Sequence, residues 1–151
     1  MKKVLFFVVV AMVSFSSCEN EEFILEGDLP GASRTFLNVH FSGVGIDRIK
    51  RENDANFNRT YTVYLDNGFE VDFTKSGDWD EIDGTERRPA LPVPQSILEL
   101  LPAGIMQYVG QRFPERYIVK VNRERFGFEI ELNGDIELKF NLNGTFRKID
   151  D

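Results

Sequence analysis

The chain has 151 residues, of which 42% are hydrophobic and 13% aromatic, so it has enough apolar surface to fold and too much for a disordered chain. Its formal net charge of −7 argues against binding to the phosphate backbone of nucleic acids, and a cationic partner or simple solubility fits this charge better. The single cysteine and single histidine exclude an internal disulfide and a cysteine-based zinc site, and no cofactor is predicted.

Residues 1–17 have the pattern of a signal peptide. Two lysines precede an apolar run, residues 4–13, that is too short to span a bilayer. The small residues that follow and end at Cys18 resemble the lipobox of bacterial lipoproteins, in which the cysteine is lipidated. We therefore expect Cys18 to carry a lipid anchor, and the alternative is a secreted chain cleaved after Ser17.

The segment 18–28 is predicted to be an acidic tether. Its "ENEE" run is similar to the surface-export signal of Bacteroidota lipoproteins, a short acidic stretch after the lipidated cysteine, although a solvated linker has the same composition. These features predict a cell-envelope location as an outer-membrane lipoprotein, periplasmic or surface-exposed, whose membrane contact is through the lipid anchor only.

Residues 29–84 predict one helix followed by four antiparallel strands. A Leu-Pro pair starts the helix, in which apolar residues recur every three to four positions. Strands follow at 44–51 and from Tyr61 onwards, where apolar and polar residues alternate, and "DNG" and "KSG" predict tight turns.

Residues 97–151 repeat this pattern after a Pro-rich linker, residues 85–96. Residues 61–83 align without gaps with 128–150, and the Leu-Pro helix recurs at 101–113. Residues 97–101 are expected to extend the second helix. The sequence therefore predicts an α+β fold of tandem helix-plus-four-strand units, which form one antiparallel sheet of up to eight strands with the helices packed on one face.

The order of these signals resembles the PepSY-like lipoproteins and periplasmic proteins of Bacteroidota. The residues that carry the resemblance are "LP…YVGQRFP" and the two strand pairs joined by Asn-Gly, over about residues 29–151. The resemblance implies a fold like that of the beta-lactamase inhibitor protein, an envelope location and no known catalytic residue. It does not identify a ligand.

The open face of the sheet is the candidate binding surface. It is predicted to carry mostly acidic side chains, which suit a cationic peptide or protein, although strands with one wet side need polar residues in any case. The residues predicted here are Tyr64, Glu70, Asp72, Glu129, Glu131, Glu137 and Lys139.

The stretch "DWDEIDG", residues 78–84, is the candidate for a metal site. Asp78 and Asp80 alternate as calcium ligands do, but Ile82 and Pro89 stand where further oxygen ligands belong, so no metal is predicted. We expect a non-enzymatic binding or inhibitory module. A small carboxylate- or metal-dependent hydrolase and a passive structural or chaperone-like lipoprotein are the alternatives.

Overall fold

A computed structural model describes residues 20–53 and 59–150. The predicted signal peptide and its lipidation residue, Cys18, lie outside the described residues. Among the helices that are described, none is long and apolar enough to cross a bilayer.

The described chain forms one nine-stranded antiparallel sheet in which every strand pairs with the next one along the chain. The strands are β1 (Asn20–Phe23), β2 (Ile46–Asn53), β3 (Arg59–Leu65), β4 (Glu70–Phe73), β5 (Trp79–Asp83), β6 (Ile118–Glu124), β7 (Gly127–Leu132), β8 (Ile136–Asn141) and β9 (Phe146–Asp150). The helices are α1 (Gly31–His40), α2 (Gln95–Leu98) and α3 (Ala103–Arg112). We refer to α1 with β2–β5 as the first half and to α3 with β6–β9 as the second half.

The α+β class and the antiparallel sheet are confirmed, but the predicted limit of eight strands is wrong. The ninth strand is β1, which lies in the segment predicted to be a tether and pairs with β2 from Asn20↔Asn53 to Phe23↔Lys50. Ion pairs from Lys50 to Glu21, at 2.8 Å, and from Arg51 to Glu22 add to the backbone pairing. An acidic, weakly apolar segment thus becomes an edge strand because its partner strand offers cations.

One face of the sheet forms the hydrophobic core. The alternation of side chains places one apolar residue of each strand in a continuous row across the sheet. From β2 to β8 that row runs Ile49, Val63, Val71, Ile82, Val121, Ile130 and Leu138, every one of them buried.

The helices cover this face through one apolar side each. Leu37 of α1 and Ile105 and Val109 of α3 are buried in the same core. The expectation that residues 97–101 extend the second helix is wrong, because α2 ends before Pro102, which is the N-cap of α3. A proline at that position favours the start of a new helix over the continuation of the old one. Ile97 of α2 still packs into the core, with no exposed surface.

Each long helix begins against a glycine turn of the sheet. Gly77 and Gly144 have φ values of 91° and 81°, which favour glycine, and a Cβ there would lie 2.6 Å from Pro30 and 2.7 Å from Pro102 respectively. The two turns therefore fix where α1 and α3 start over the sheet. Both helices lie on the core side, and we call the other side the open face.

Candidate functional site

The face opposite the helices carries all the predicted site residues. The strand register aligns Tyr64 with Glu70, Glu129 with Lys139, and Glu131 with Glu137, each pair on that open side. Asp72 lies two residues beyond Glu70 along β4, on the same face and opposite Thr62. The structure divides these residues among three different environments.

Two carboxylates of β5, Glu81 and Asp83, also lie on this face, although the sequence pattern did not predict them there. Simple alternation from the core residue Trp79 would place both on the core side. An irregularity in the β4–β5 pairing, between Asp72 and Phe73, shifts the pattern by one residue, so Ile82 enters the core instead. The signal that could have revealed this is Ile82, an apolar residue that strict alternation would leave in water.

The first half of the open face has four carboxylates, two of which pair with a lysine of the second half. Lys120 of β6 pairs with Glu81 at 2.8 Å and with Asp83 at 2.9 Å. Burial raises the pKa of Asp83, but hydrogen bonds from Thr85 and Lys120 outweigh it, so the pKa of Asp83 is lowered. Because Lys120 joins β5 to β6, it connects the two halves of the sheet.

The other two carboxylates, Glu70 and Asp72 of β4, have no ion-pair partner within the described parts of the chain. Burial, followed by the negative charge of Asp72, raises the pKa of Glu70 to about 7. Burial also raises the pKa of Asp72, against a hydrogen bond from Thr62. Among the described atoms, the buried Oδ1 of Asp72 finds no hydrogen-bond partner. We call Glu70, Asp72, Glu81 and Asp83 the acidic patch.

Three carboxylates on the second half of the open face share one lysine of that half. Lys139 lies 2.8 Å from Glu129, 3.5 Å from Glu137 and 3.2 Å from Asp150. The hydrogen bonds that Lys139 donates to Glu129 and Asp150 raise its pKa, so the lysine stays charged. Glu129 and Glu137 are therefore engaged within the chain.

The remaining predicted residues border these groups: Tyr64 lies opposite Glu70, and Glu131 lies between Lys120 and Glu137 on the neighbouring strands. The guanidinium of Arg48 stacks over the ring of Tyr64 at 3.9 Å from its centroid. Glu131 lines a cleft at the end of the sheet, between the linker and the β7–β8 turn. Burial, followed by the charge of Asp83, raises the pKa of Glu131.

The stretch 78–84 does not gather oxygen ligands around one point. Asp78 accepts a hydrogen bond from Ser76 at 2.7 Å, whereas Asp83 turns to Lys120 and Thr85. Over residues 20–53 and 59–150, no group of three or more histidine, cysteine or acidic residues is arranged to hold a metal ion.

Residues 59–148 match the sequence profile of the family described as "Putative beta-lactamase-inhibitor-like, PepSY-like". No curated protein matches the chain.

Solved structures of Bacteroides proteins, each described as a "putative" periplasmic protein, have the same fold. A Bacteroides vulgatus structure is 27% identical, with a TM-score of 0.77 over 89% of this chain and 99% of its own. A second one from that organism, of unknown function, is 30% identical, with a TM-score of 0.78 over 87% and 99%. A Bacteroides thetaiotaomicron structure, described as calcium-regulated, is 30% identical, with a TM-score of 0.77 over 87% and 97%.

Proposed function

Since the chain belongs to the PepSY-like family, whose similar solved structures are described as periplasmic, we propose that it is a non-enzymatic binding module of the cell envelope. Its binding surface is the acidic patch on the open sheet face. The family description and these structures name no catalytic activity, which fits a module that works by binding.

The observation that carries this proposal is the unpaired state of Glu70 and Asp72. Two half-buried carboxylates on neighbouring positions of one strand repel each other, and burial disfavours their charged forms. A cation placed beside the accessible oxygens of this pair would relieve both costs. The arrangement therefore favours a positively charged ligand over a neutral one.

A lysine or arginine side chain of another protein is the ligand that fits this surface best. The open sheet face is broad, and the clefts beside the linker, beside Lys139 and beside Trp79 are lined by no residue of the patch, so the patch suits a protein surface or an extended peptide. The calcium-regulated description of one similar structure makes calcium the alternative cation. Calcium takes six or more oxygen ligands around one point, however, and in the described residues no three carboxylates are arranged to hold a metal ion.

The test is capture of basic proteins from a periplasmic extract with the mature chain, in which Cys18→Ser keeps the chain soluble. The double variant Glu70→Gln, Asp72→Asn should lose the captured proteins, whereas Glu129→Gln should keep them, because Glu129 already pairs with Lys139. The same capture repeated with calcium and with a chelator separates a metal requirement from a direct protein contact.

If the double variant captures the same proteins as the unmodified chain, the acidic patch is not the binding surface. If calcium alone binds with clear stoichiometry and the basic proteins do not, the partner class is wrong.

We also infer that the two halves are copies of one unit, as in the beta-lactamase inhibitor protein fold. Phe36 packs edge-on against Phe73, and Tyr108 packs the same way against Phe140, with ring centroids 5.8 Å and 5.6 Å apart. The family description makes an inhibitory role one form of the binding function, in which the captured partner is an enzyme.

A lipid on Cys18 is the proposed means of attachment to the outer membrane. Its support is the sequence pattern before this residue. Cys18→Ser should abolish labelling by a radioactive or clickable fatty acid and release the protein from the membrane fraction. Labelling that survives the substitution would contradict the proposal.

A further inference from the structure

A cleft of about 280 Å³ lies at the end of the sheet, outside the acidic patch. Its walls are the linker after β5 and the turn between β7 and β8. The residues that matter for its chemistry are Arg88, Pro89, Ala90, Tyr117, Glu131 and Asp135.

The two walls are held at a fixed separation by Tyr117. The hydroxyl of Tyr117 donates to the carbonyl of Ala90 in the linker, at 3.2 Å. At the β7–β8 turn, the backbone N–H of Tyr117 donates to the side-chain oxygen of Asn133 at 2.8 Å. The backbone N–H of Asn133 donates to the carbonyl of Tyr117 at 3.0 Å. The cleft is therefore formed in the free protein, which lowers the ordering cost of binding.

The linker itself is anchored beside the cleft. The N–H of Gly84 donates to the carbonyl of Val119 at 2.9 Å, and the N–H of Leu91 donates to the carbonyl of Gly84 at 2.8 Å. Val119 is an extra residue in the β6–β7 pairing, between Ile118 and Lys120, and it is buried beneath the linker with 1% of its surface exposed. Pro89 and Ala90 of the linker, which are exposed and partly exposed, give the cleft its accessible apolar lining.

The cleft also contains opposite charges that do not neutralise each other. Neither Glu131 nor Arg88 takes part in an ion pair or a side-chain hydrogen bond within residues 20–53 and 59–150. The neighbouring Arg87 differs, because it donates to the carbonyl of Asp66 at 3.2 Å. Asp135, also on the lining, adds to the negative side.

We propose that this cleft binds a small zwitterion, a free amino acid or dipeptide with an apolar side chain. Its ammonium group contacts Glu131, its carboxylate contacts the Arg88 guanidinium, and its side chain lies against Pro89 and Ala90. A guanidinium suits a carboxylate because it donates two parallel hydrogen bonds. A volume just below the roughly 300 Å³ typical of the smallest ligand pockets limits the ligand to about this size.

The experiment titrates the isotope-labelled mature Cys18→Ser chain with leucine, N-acetylleucine and leucinamide, and follows the backbone amide signals of the cleft. N-acetylleucine lacks the ammonium group and leucinamide lacks the carboxylate. Leucine should bind about tenfold more tightly than either, because each blocked analogue loses one charged contact.

Single substitutions assign each end of the ligand. Glu131→Gln should reduce the affinity for leucine to that for N-acetylleucine, and Arg88→Gln should reduce it to that for leucinamide. Glu115→Gln and Arg112→Gln are matched controls on exposed residues outside the cleft and should change nothing. The amide spectrum reports in the same experiment whether each variant is folded.

The proposal is overturned if millimolar leucine leaves the cleft signals unmoved, or if the blocked analogues bind as tightly as leucine. Equal loss of affinity in the control variants would also overturn it. The titration uses no protein partner and leaves Glu70 and Asp72 intact, so its outcome is independent of the function proposed for the acidic patch.

Discussion

The open faces of the two halves carry opposite charges at two aligned positions. The first half has Asp72 and Glu81 where the second half has Lys139 and Lys148. Lys139 lies among three carboxylates, and Lys148 pairs with Asp150 at 2.5 Å. The second half therefore supplies its own cations at the positions where the first half adds further negative charge.

The need to fold explains the apolar cores of both halves, but it does not explain the difference in charge between their open faces. The cores are alike, because Phe73 and Phe140 are both buried under an aromatic residue of the covering helix. Within the described residues, the carboxylates around Lys139 are paired while Glu70 and Asp72 are not. The unpaired charges of the first half are thus a feature that a stable sheet does not need, which is why they point to a ligand.

The greatest loss of stability should come from substitutions in the two cores. Comparing the losses tests whether the two halves are packed alike. Phe73→Ala and Phe140→Ala should each lower the free energy of unfolding by about 4 kcal/mol, because each removes a fully packed ring and leaves a cavity. Urea denaturation followed by circular dichroism measures both. A cost that differs between the two variants by more than about 2 kcal/mol would show that the halves are not equivalent in packing.

The next largest loss of stability should come from removing Lys120, which joins the two halves through its ion pairs. Lys120→Met should lower the free energy of unfolding by about 2 kcal/mol, because Glu81 and Asp83 lose a half-buried partner and repel Glu70 and Asp72 more strongly. The same denaturation assay applies. Adding Glu81→Gln and Asp83→Asn to the variant should restore part of the loss, and a triple variant no more stable than Lys120→Met would argue against a charge effect.

The sequence predicts the helices, the hairpins and the covered face because these depend on local signals. Leu-Pro pairs, Asn-Gly turns and alternating apolar residues act within a few positions of one another. The strand β1 could not be predicted this way, since "NEEF" has little apolar character and forms a strand only beside Lys50 and Arg51.

The residues of the candidate site are predicted less completely, because strand register decides which face some of their side chains occupy. The positions of Glu70 and Asp72 follow from alternation along a regular strand. Those of Glu81 and Asp83 depend on one irregular pairing, which shifts every later side chain of β5 to the other face. The cleft beside Glu131 depends on the path of the linker, and the hydrogen bonds that fix this path join residues far apart in the sequence.

We expect a smaller effect from Glu70 in the first half, which should make the free energy of unfolding depend on pH. Because the pKa of Glu70 is about 7 in the folded protein and its ordinary value is 4.5, the folded state binds more protons between these values. Stability should therefore fall as pH rises through this window and level off above it. After allowance for solvent screening at this half-exposed side chain, we expect a loss of about 1 kcal/mol.

Glu70→Gln is the variant that isolates this effect, since it keeps the shape of the side chain and removes its charge. Urea midpoints for the variant should fall less than those of the unmodified chain between about pH 5 and pH 8. Glu137→Gln is the matched control at the aligned position, where Lys139 lies 3.5 Å from the carboxylate. An unchanged pH profile in Glu70→Gln would assign the effect to another group.

The weakest effect on stability should come from giving the first half the cation of the second. Asp72→Lys places an ammonium group beside Glu70, as Lys139 stands beside Glu137, and should lower the pKa of Glu70 from about 7 towards its ordinary range. The accompanying change in the free energy of unfolding should be only about 0.5 kcal/mol, because the new pair is partly exposed to water. Carbon-detected NMR titration of the Glu70 carboxyl measures the pKa directly. If that pKa stays near 7 with the ammonium group in place, burial alone holds it there, and the contrast between the two halves is one of packing and not of charge.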